Sequence, residues 1–223
     1  LSDPVSNQDA ATKAYVDEQL SLIVKTIVNC IDYNGTEYEI VKIGDQIWMA
    51  ESLRATHYSD GTPITGIYDY DDSAPNSAIY GKLYTWSAAM NGASSSSSNP
   101  SNVQGACPTG WHIPSDAEWT ELTDYLGGEP IAGGKMKETG TTHWNSPNTG
   151  ATNESGFTGL PGGYRYDSGV YNDLGNYANF WSSTESNPSS VAFSRLLFYL
   201  NDNVLRSNYY DKDAALSIRC IKD

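Results

Sequence analysis

The sequence is poor in basic residues and has no long apolar run. Its 223 residues include 13 lysines and arginines against 27 aspartates and glutamates, a formal net charge of −14. Nucleic acids and anionic lipid surfaces repel a chain of this charge, so we exclude nucleic acid as a partner. No stretch approaches the roughly 18 consecutive apolar residues of a membrane-spanning helix, so we expect no membrane insertion.

Catalytic and metal-binding motifs are also missing. The 3 histidines lie outside any nucleophile motif, and there is no G-x-S-x-G, P-loop or H-E-x-x-H pattern. The 3 cysteines, Cys30, Cys107 and Cys220, form no CxxC pair or Cys/His cluster of the kind that binds structural zinc. Their spacing leaves open which two pair, if any. We therefore expect no enzyme activity, no cofactor and no metal site.

Two sets of carboxylates offer alternatives to that expectation. Glu51 with Asp116 or Glu118 could act as paired glycosidase carboxylates, although Glu118 is better explained as a helix-capping residue. The acidic loop that begins at Asp69 could hold a hard cation, although such loops are more often simply solvated. His112 is best explained as a hydrogen-bonded structural histidine.

The N-terminal segment, 1–28, differs from the rest of the chain. It carries four apolar residues spaced four, three and four positions apart, namely Val16, Leu20, Ile23 and Ile27. This heptad-like seam predicts a short oligomeric coiled coil, because so short a helix is marginal alone. The alternative is an amphipathic helix that packs on its own domain.

The sequence "DAATKAYVD" at 9–17 resembles a segment common in bacteriophage tail-fibre proteins, which form trimers. The resemblance implies a homotrimer that joins other tail proteins through its N-terminus. It also implies a location in the virion.

Residues 29–223 are expected to form one α+β domain. Two short strands are predicted in "YEIVKIGDQIWMAESL", with a turn at Gly44-Asp45. One helix is predicted within 80–90. A second is predicted within 114–128, where Ser115 and Glu118 have capping-box spacing.

Several motifs of this domain resemble the Fibrobacter succinogenes major paralogous domain family. They are "VKIGDQIWMAESL", "YGKLYTWSAAM", "ACPTGWHIPSDAEWTEL", "GFTGLPGGYRY", "FWSSTES" and "ALSIRCIKD". The resemblance implies a loop-rich C-type-lectin-like fold, with two helices around a small twisted antiparallel sheet. It also implies that Cys107 and Cys220 form a disulfide or lie as adjacent core thiols, and it relates the fold to formylglycine-generating enzymes.

The stretch "SRLLFYLNDNVLRSNYY", 194–210, predicts a β-hairpin with apolar residues on both faces. Alternation places Leu196, Phe198 and Leu200 on one face, with Leu197 and Tyr199 on the other. We predict that the first face binds a ligand, because a contiguous exposed apolar patch usually marks an interface. The alternative is a central hairpin with both faces buried.

The same region resembles the variable proteins of diversity-generating retroelements, in which framework and variable positions alternate. Here Arg195 and Arg206 match framework positions, and Trp181 is expected to help hold the sheet. The resemblance implies a variable segment at about 176–214. Its ligand-binding positions would be Asn176, Tyr177, Asn179, Ser194, Leu196, Phe198, Leu200, Leu205, Ser207, Asn208, Tyr209, Asp213 and Ala214.

Three functions follow from these observations. The first is a bacteriophage receptor-binding protein that contacts a glycan or protein on the host surface. The second is a secreted adhesin or carbohydrate-binding module without diversification, extracellular or on a bacterial surface. The third is an enzyme of the formylglycine-generating type.

Overall fold

The structure is a computed structural model that describes residues 12, 13, 15, 16, 30–187 and 189–223. Thr12, Lys13, Tyr15 and Val16 are helical. The rest of the predicted coiled coil, 1–28, lies outside the described residues, and the part that the structure describes contains no coiled coil.

Strands make up most of the regular structure. In chain order they are β1 (Ile40–Ile43), β2 (Gln46–Met49), β3 (Ile67–Tyr68), β4 (Leu83–Thr85), β5 (Trp111–His112), β6 (Gly162–Arg165), β7 (Tyr171–Leu174), β8 (Tyr177–Glu185), β9 (Ala192–Phe198), β10 (Val204–Ser207), β11 (Ala215–Leu216) and β12 (Ile221–Lys222). A short 3-10 helix (Tyr70–Asp72) and four short α-helices accompany them among the described residues from 30 onward: α1 (Ala74–Tyr80), α2 (Trp86–Met90), α3 (Asp116–Tyr125) and α4 (Glu129–Met136).

The strands form two sheets. The four-stranded sheet has the order β1-β2-β12-β5, and the eight-stranded sheet has the order β10-β9-β8-β6-β11-β4-β3, with β7 also paired to β6. The expected fold, two helices around a small twisted antiparallel sheet, is therefore wrong. The physical reason is pairing between strands: the stretch 156–186 contains β6, β7 and the nine-residue β8, which pair with one another and with β9 and β11 to build the large sheet. A parallel pairing between β6 and β8 makes the large sheet mixed.

Several local predictions agree with the structure. β1 and β2 pair around a turn in which Gly44 has φ 61°. Ser115 and Glu118 form the capping box of α3, because the Ser115 hydroxyl accepts from the Glu118 amide and the Glu118 carboxylate accepts from the Ser115 amide. The hairpin is also present, with β9 and β10 antiparallel.

Two apolar clusters lie on opposite sides of β8 and β9. Trp181 and Leu196 belong to one cluster, and Phe180 and Leu197 to the other. Successive residues of a strand point to opposite faces, so both faces of these central strands are packed over much of their length. The hairpin thus begins inside the domain and runs outward to its turn.

The two family-matched cysteines, Cys107 and Cys220, form a disulfide in the structure, and Cys30 is a buried free thiol. The disulfide joins the segment before β5 to the segment before β12 across a sequence separation of 113 residues. In the described residues, no helix is both long and apolar enough to cross a membrane.

Candidate functional site

The strand register gathers many of the predicted ligand-binding residues on one face of the sheet. Leu196 lies opposite Asn179 of β8 and Leu205 of β10, and Ser194 lies opposite Ser207. Directly opposed residues of antiparallel strands share a face. We call the set formed by Tyr177, Asn179, Ser194, Leu196, Phe198, Leu205 and Ser207 the hairpin face.

The hairpin face is not uniformly accessible. Asn179, Ser194 and Leu196 are buried, as is Ala214 farther along the chain. Tyr177, Phe198, Ser207 and Asn176 are half-buried, and Asn208 and Asp213 are exposed. The large apolar side chains that reach solvent are Leu200 (48% exposed), Leu205 (40%) and Tyr209 (70%).

Two rings form the flat part of the accessible surface. Tyr177 and Phe198 stack with ring centroids 4.4 Å apart and an interplanar angle of 16°. Phe198 also meets Tyr199 edge-on at 4.9 Å. Because each ring is fixed by its neighbour and by paired strands, the pair offers a ligand apolar area at little cost in side-chain entropy.

A second aromatic group, the tyrosine cluster, borders the hairpin face. It consists of Tyr164, Tyr166, Tyr209 and Tyr210. Tyr164 lies 4.8 Å from both Tyr166 and Tyr210, and Tyr209 lies 5.3 Å from Tyr210, measured between ring centroids. The Tyr164 hydroxyl donates to that of Tyr166 at 2.8 Å.

The tyrosine cluster also explains the burial of Asn179. The Tyr210 hydroxyl donates to Asn179 Oδ1 at 3.2 Å, and Asn179 Nδ2 donates to the Gly163 carbonyl at 3.2 Å. Sequence reasoning missed three members of the cluster: Tyr164, Tyr166 and Tyr210. The alternation in "GGYRY" was a signal that Tyr164 and Tyr166 share one face of a strand.

Asp173 supplies negative charge to this region. Burial raises the pKa of Tyr177, and the Asp173 carboxylate raises it further. Burial also raises the pKa of Tyr164 and Tyr210, and Asp173 again contributes, together with the neighbouring phenols. All three phenols therefore lie within the field of one carboxylate and stay neutral near pH 7.

Two arginines attach the hairpin to helix α3. Arg195 is fully buried, and its Nη1 donates to Asp116 Oδ1 at 2.7 Å. Arg206 Nε donates to the same oxygen at 2.9 Å, and its guanidinium lies 3.8 Å from the centre of the Phe193 ring. Burial alone would raise the pKa of Asp116, but the two arginines outweigh it and hold the pKa below its usual range. The two arginines thus tie the hairpin to α3, whereas their role as framework positions of a variable segment stays a prediction.

A buried lysine holds the hairpin turn. Lys137 Nζ donates to the carbonyls of Phe198, Asn201 and Thr149 at 3.0, 2.7 and 2.8 Å. Burial lowers the pKa of this amine to about 8. Sequence reasoning missed Lys137, because a lysine in "GGKMKE" looks like an ordinary surface residue.

Two glycines of helix α4 allow the hairpin turn to pack closely against that helix. Gly134 donates its amide to the Asp202 carbonyl at 2.9 Å. A Cβ atom at Gly133 would lie 2.1 Å from the Asn203 carbonyl oxygen, so only glycine fits there. Together with the hydrogen bonds of Lys137, these contacts hold the turn against α4. Leu205 and Tyr209 are exposed to solvent.

The acidic residues weighed as catalytic or metal-binding groups are engaged in other contacts. Asp69 accepts hydrogen bonds from Ser77 and Lys82, and Glu51 pairs with Arg54. Among the described residues there is no group of three or more His, Cys, Asp and Glu side chains placed to bind a metal ion.

His112 is held between two carboxylates, at 2.7 Å from Glu118 Oε1 and 2.7 Å from Asp223 Oδ1. Burial disfavours the imidazolium, but the two carboxylates outweigh it and raise the histidine pKa. The same Glu118 side chain caps α3, so the histidine joins the C-terminal strand region to that helix.

The domain that contains these features is recognisable from sequence. The Fibrobacter succinogenes major domain matches residues 41–222. The chain belongs to this family, which confirms the resemblance of its motifs. No curated protein and no solved structure matches. The hairpin face and the tyrosine cluster lie inside the matched range, and the tail-fibre-like segment 9–17 lies outside it.

Proposed function

We propose that this protein is a receptor-binding protein of a bacteriophage tail, which contacts a glycan or protein on the host surface. The contact surface would be the outer part of the hairpin face with the adjoining Tyr209. The observation that carries the proposal is the combination of exposed apolar side chains with a rigid support. Exposed anchors on a preorganised sheet lose little entropy on binding, which favours recognition.

The segment at 9–17 supports the placement in a tail. A homotrimer would present three copies of the surface, and three weak contacts acting together bind far more tightly than one. The alternative is an extracellular or surface-attached bacterial adhesin that uses the same surface without diversification.

Binding to bacterial cells tests the proposal. The fluorescently labelled chain is titrated onto a panel of bacterial strains. On a strain that binds, Leu205→Ala with Tyr209→Ala should weaken binding at least tenfold, because both side chains are exposed anchors. The thermal midpoint should change little. Tyr125→Ala is the matched control, since Tyr125 is 65% exposed and lies on α3.

Two outcomes would contradict the proposal. One is an unchanged affinity of the double variant for cells, and the other is a lack of binding to every strain in the panel. If the substitutions instead unfold the domain, Leu205 and Tyr209 contribute to the core. That outcome would support the buried-hairpin alternative.

Diversification is tested separately by sequencing codons 170–223 in a propagated population that carries the gene. We expect changes at the exposed predicted positions and constancy at Arg195, Arg206 and Cys220. An invariant segment would leave a fixed adhesin as the better interpretation.

A further inference from the structure

Strand β10 forms one edge of the eight-stranded sheet. β9 pairs with it on one side, and no strand among the described residues pairs with its other side. β10 contains no proline, and its single charged residue, Arg206, is tied to Asp116 and lies over the Phe193 ring. Prolines and free charges are common means by which proteins prevent a second strand from pairing with a sheet edge. The β10 edge has neither of them.

The hydrogen bonds of β9 show which main-chain groups of β10 point toward that open edge. The Tyr199 amide donates to the Asn176 carbonyl at 3.1 Å, one pair beyond the registered pair of Phe198 and Tyr177. In antiparallel strands, hydrogen-bonded pairs alternate with non-bonded pairs. Odd-numbered residues of β9 therefore bond to β8, and even-numbered residues bond to β10.

In β10, the partners of those even-numbered residues are Leu205 and Ser207. Their direction agrees with a contact in which the Ser207 carbonyl accepts from Ser194 Oγ at 3.5 Å. The two remaining residues, Val204 and Arg206, each turn an N–H and a C=O group toward the open edge. Among the described residues, nothing pairs with these outward groups. They form a template for an added strand.

A groove of about 420 Å³ lies beside these main-chain groups. The first turn of α4 lines it through Glu129 and Pro130, which are both exposed, and β10 lines it through Leu205 and Arg206. The hairpin turn, 201–203, also contributes to the lining. A groove between an edge strand and a helix suits an extended peptide, which pairs with the strand and places alternate side chains on its two sides.

We infer that an extended segment of a protein receptor pairs with β10 as an additional strand of the large sheet. The inference rests on the proposed function and narrows the partner to a protein, because a glycan lacks a regular row of N–H and C=O groups. Main-chain bonds to Val204 and Arg206 supply affinity. Leu205, on the hairpin face, contacts an apolar side chain of the added strand, and Glu129 favours a basic one on the helix side.

Amide hydrogen exchange of the free chain, followed by NMR after ¹⁵N labelling, tests the geometry. The amides of Val204 and Arg206 should exchange at least about tenfold faster than those of Leu205 and Ser207, because only the latter pair bonds to β9. Equal protection of all four amides would mean that the edge is closed, and it would overturn the inference.

Random peptides of about twelve residues, displayed on yeast and selected with the full chain, provide the ligand probe. The selected peptides, once synthesised, should protect the amides of Val204 and Arg206 from exchange. N-methylation of the peptide at alternate positions should weaken binding at least about tenfold, because it removes donors that face β10.

Three outcomes of that selection would refute the receptor strand. They are a library without enrichment, selected peptides that leave both amides unprotected, and peptides that tolerate N-methylation at every position. Protection that increases with the concentration of the chain alone would assign the edge to a second copy, and it would also overturn the inference.

Cell binding separates failure of this inference from failure of the proposed function. Val204→Pro removes an outward N–H, and Val204→Ala is the matched control that keeps it. Both variants lose a buried side chain, so both should lower the thermal midpoint. On a strain that binds, the proline variant should bind at least about fivefold more weakly than the alanine variant.

If the proline and alanine variants bind cells equally, while Leu205→Ala with Tyr209→Ala loses binding, the receptor-binding function stands and the strand pairing is refuted. If Val204→Pro does not fold, the exchange measurements with the selected peptides decide the question, since they need no variant.

Discussion

Replacing Lys137 with methionine tests whether the hairpin turn is held by one buried amine. Methionine keeps the unbranched shape and removes every donor. Three carbonyl oxygens, those of Phe198, Asn201 and Thr149, lose their contact with Nζ. An unsatisfied buried acceptor costs roughly 1–3 kcal/mol. Removal of the buried charge offsets part of the cost of the three unsatisfied acceptors. We therefore expect the free energy of unfolding to fall by about 2–4 kcal/mol at pH 7.

The pH dependence of that loss has a defined sign. Burial lowers the pKa of Lys137 from 10.5 to about 8 in the folded chain. Between these values the unfolded chain binds more protons at this site, so the contribution of Lys137 to the free energy of unfolding rises with pH. Over this pH range, the contribution of Lys137 to the free energy of unfolding rises by at most about 3 kcal/mol. The tyrosines also titrate at high pH, so the difference between wild type and variant is the useful quantity.

Urea denaturation at pH 7, 8, 9 and 10 measures both effects. Lys135→Met is the control: Lys135 lies in the last turn of α4, two residues before Lys137, is partly exposed, and its Nζ lies 3.8 Å from Glu154 Oε1. That change should cost less than about 0.5 kcal/mol. A Lys137→Met variant that is as stable as wild type at every pH would show that Lys137 does not hold the hairpin turn.

Two further substitutions test the buried ion pairs of Asp116 and of His112. Asp116→Ala leaves two arginines without their carboxylate and should cost about 3–5 kcal/mol in urea denaturation, whereas Asp124→Ala on the same helix should cost little. For His112, the raised pKa means that its contribution to stability is present below about pH 6.5 and declines as pH rises through the folded-state pKa. The thermal midpoint of wild type relative to His112→Gln should therefore fall over that range; a constant difference would contradict the ion pairs.

Sequence reasoning succeeded where the signal was local. The capping box of α3 needs only Ser115 and Glu118, three positions apart, and the hairpin needs only alternation around a polar turn. The common face of Leu196 and Phe198 follows from the same period of two. These features involve neighbours in the chain, and the structure contains each of them.

The fold as a whole depended on pairings that no local pattern encodes. β12 lies between β2 and β5, although it is the last strand of the chain. β6 pairs with β8 in parallel, across the intervening β7. Strands of two residues, such as β11 and β12, carry almost no periodic signal, so their partners were not predictable from sequence.

Burial along the hairpin was unpredictable for a related reason. Leu196 and Asn179 are covered because Tyr164 and Tyr210 arrive from outside the hairpin strands. Lys137 reaches the turn from beyond α4. Alternation places residues on a common face, but the elements that cover that face come from elsewhere in the chain.

Buried cations hold several backbone segments of the domain through main-chain carbonyls, and the hairpin turn is one of these segments. Arg219 is fully buried and donates to the carbonyls of Met49 (3.0 Å) and Phe157 (2.6 Å). Lys137 and Arg195 bind backbone carbonyls in the same way. Main-chain acceptors exist whatever side chain a position carries. Anchoring through them therefore holds loops and turns without constraining the outward side chains, which is what the proposed recognition surface with exchangeable residues would require.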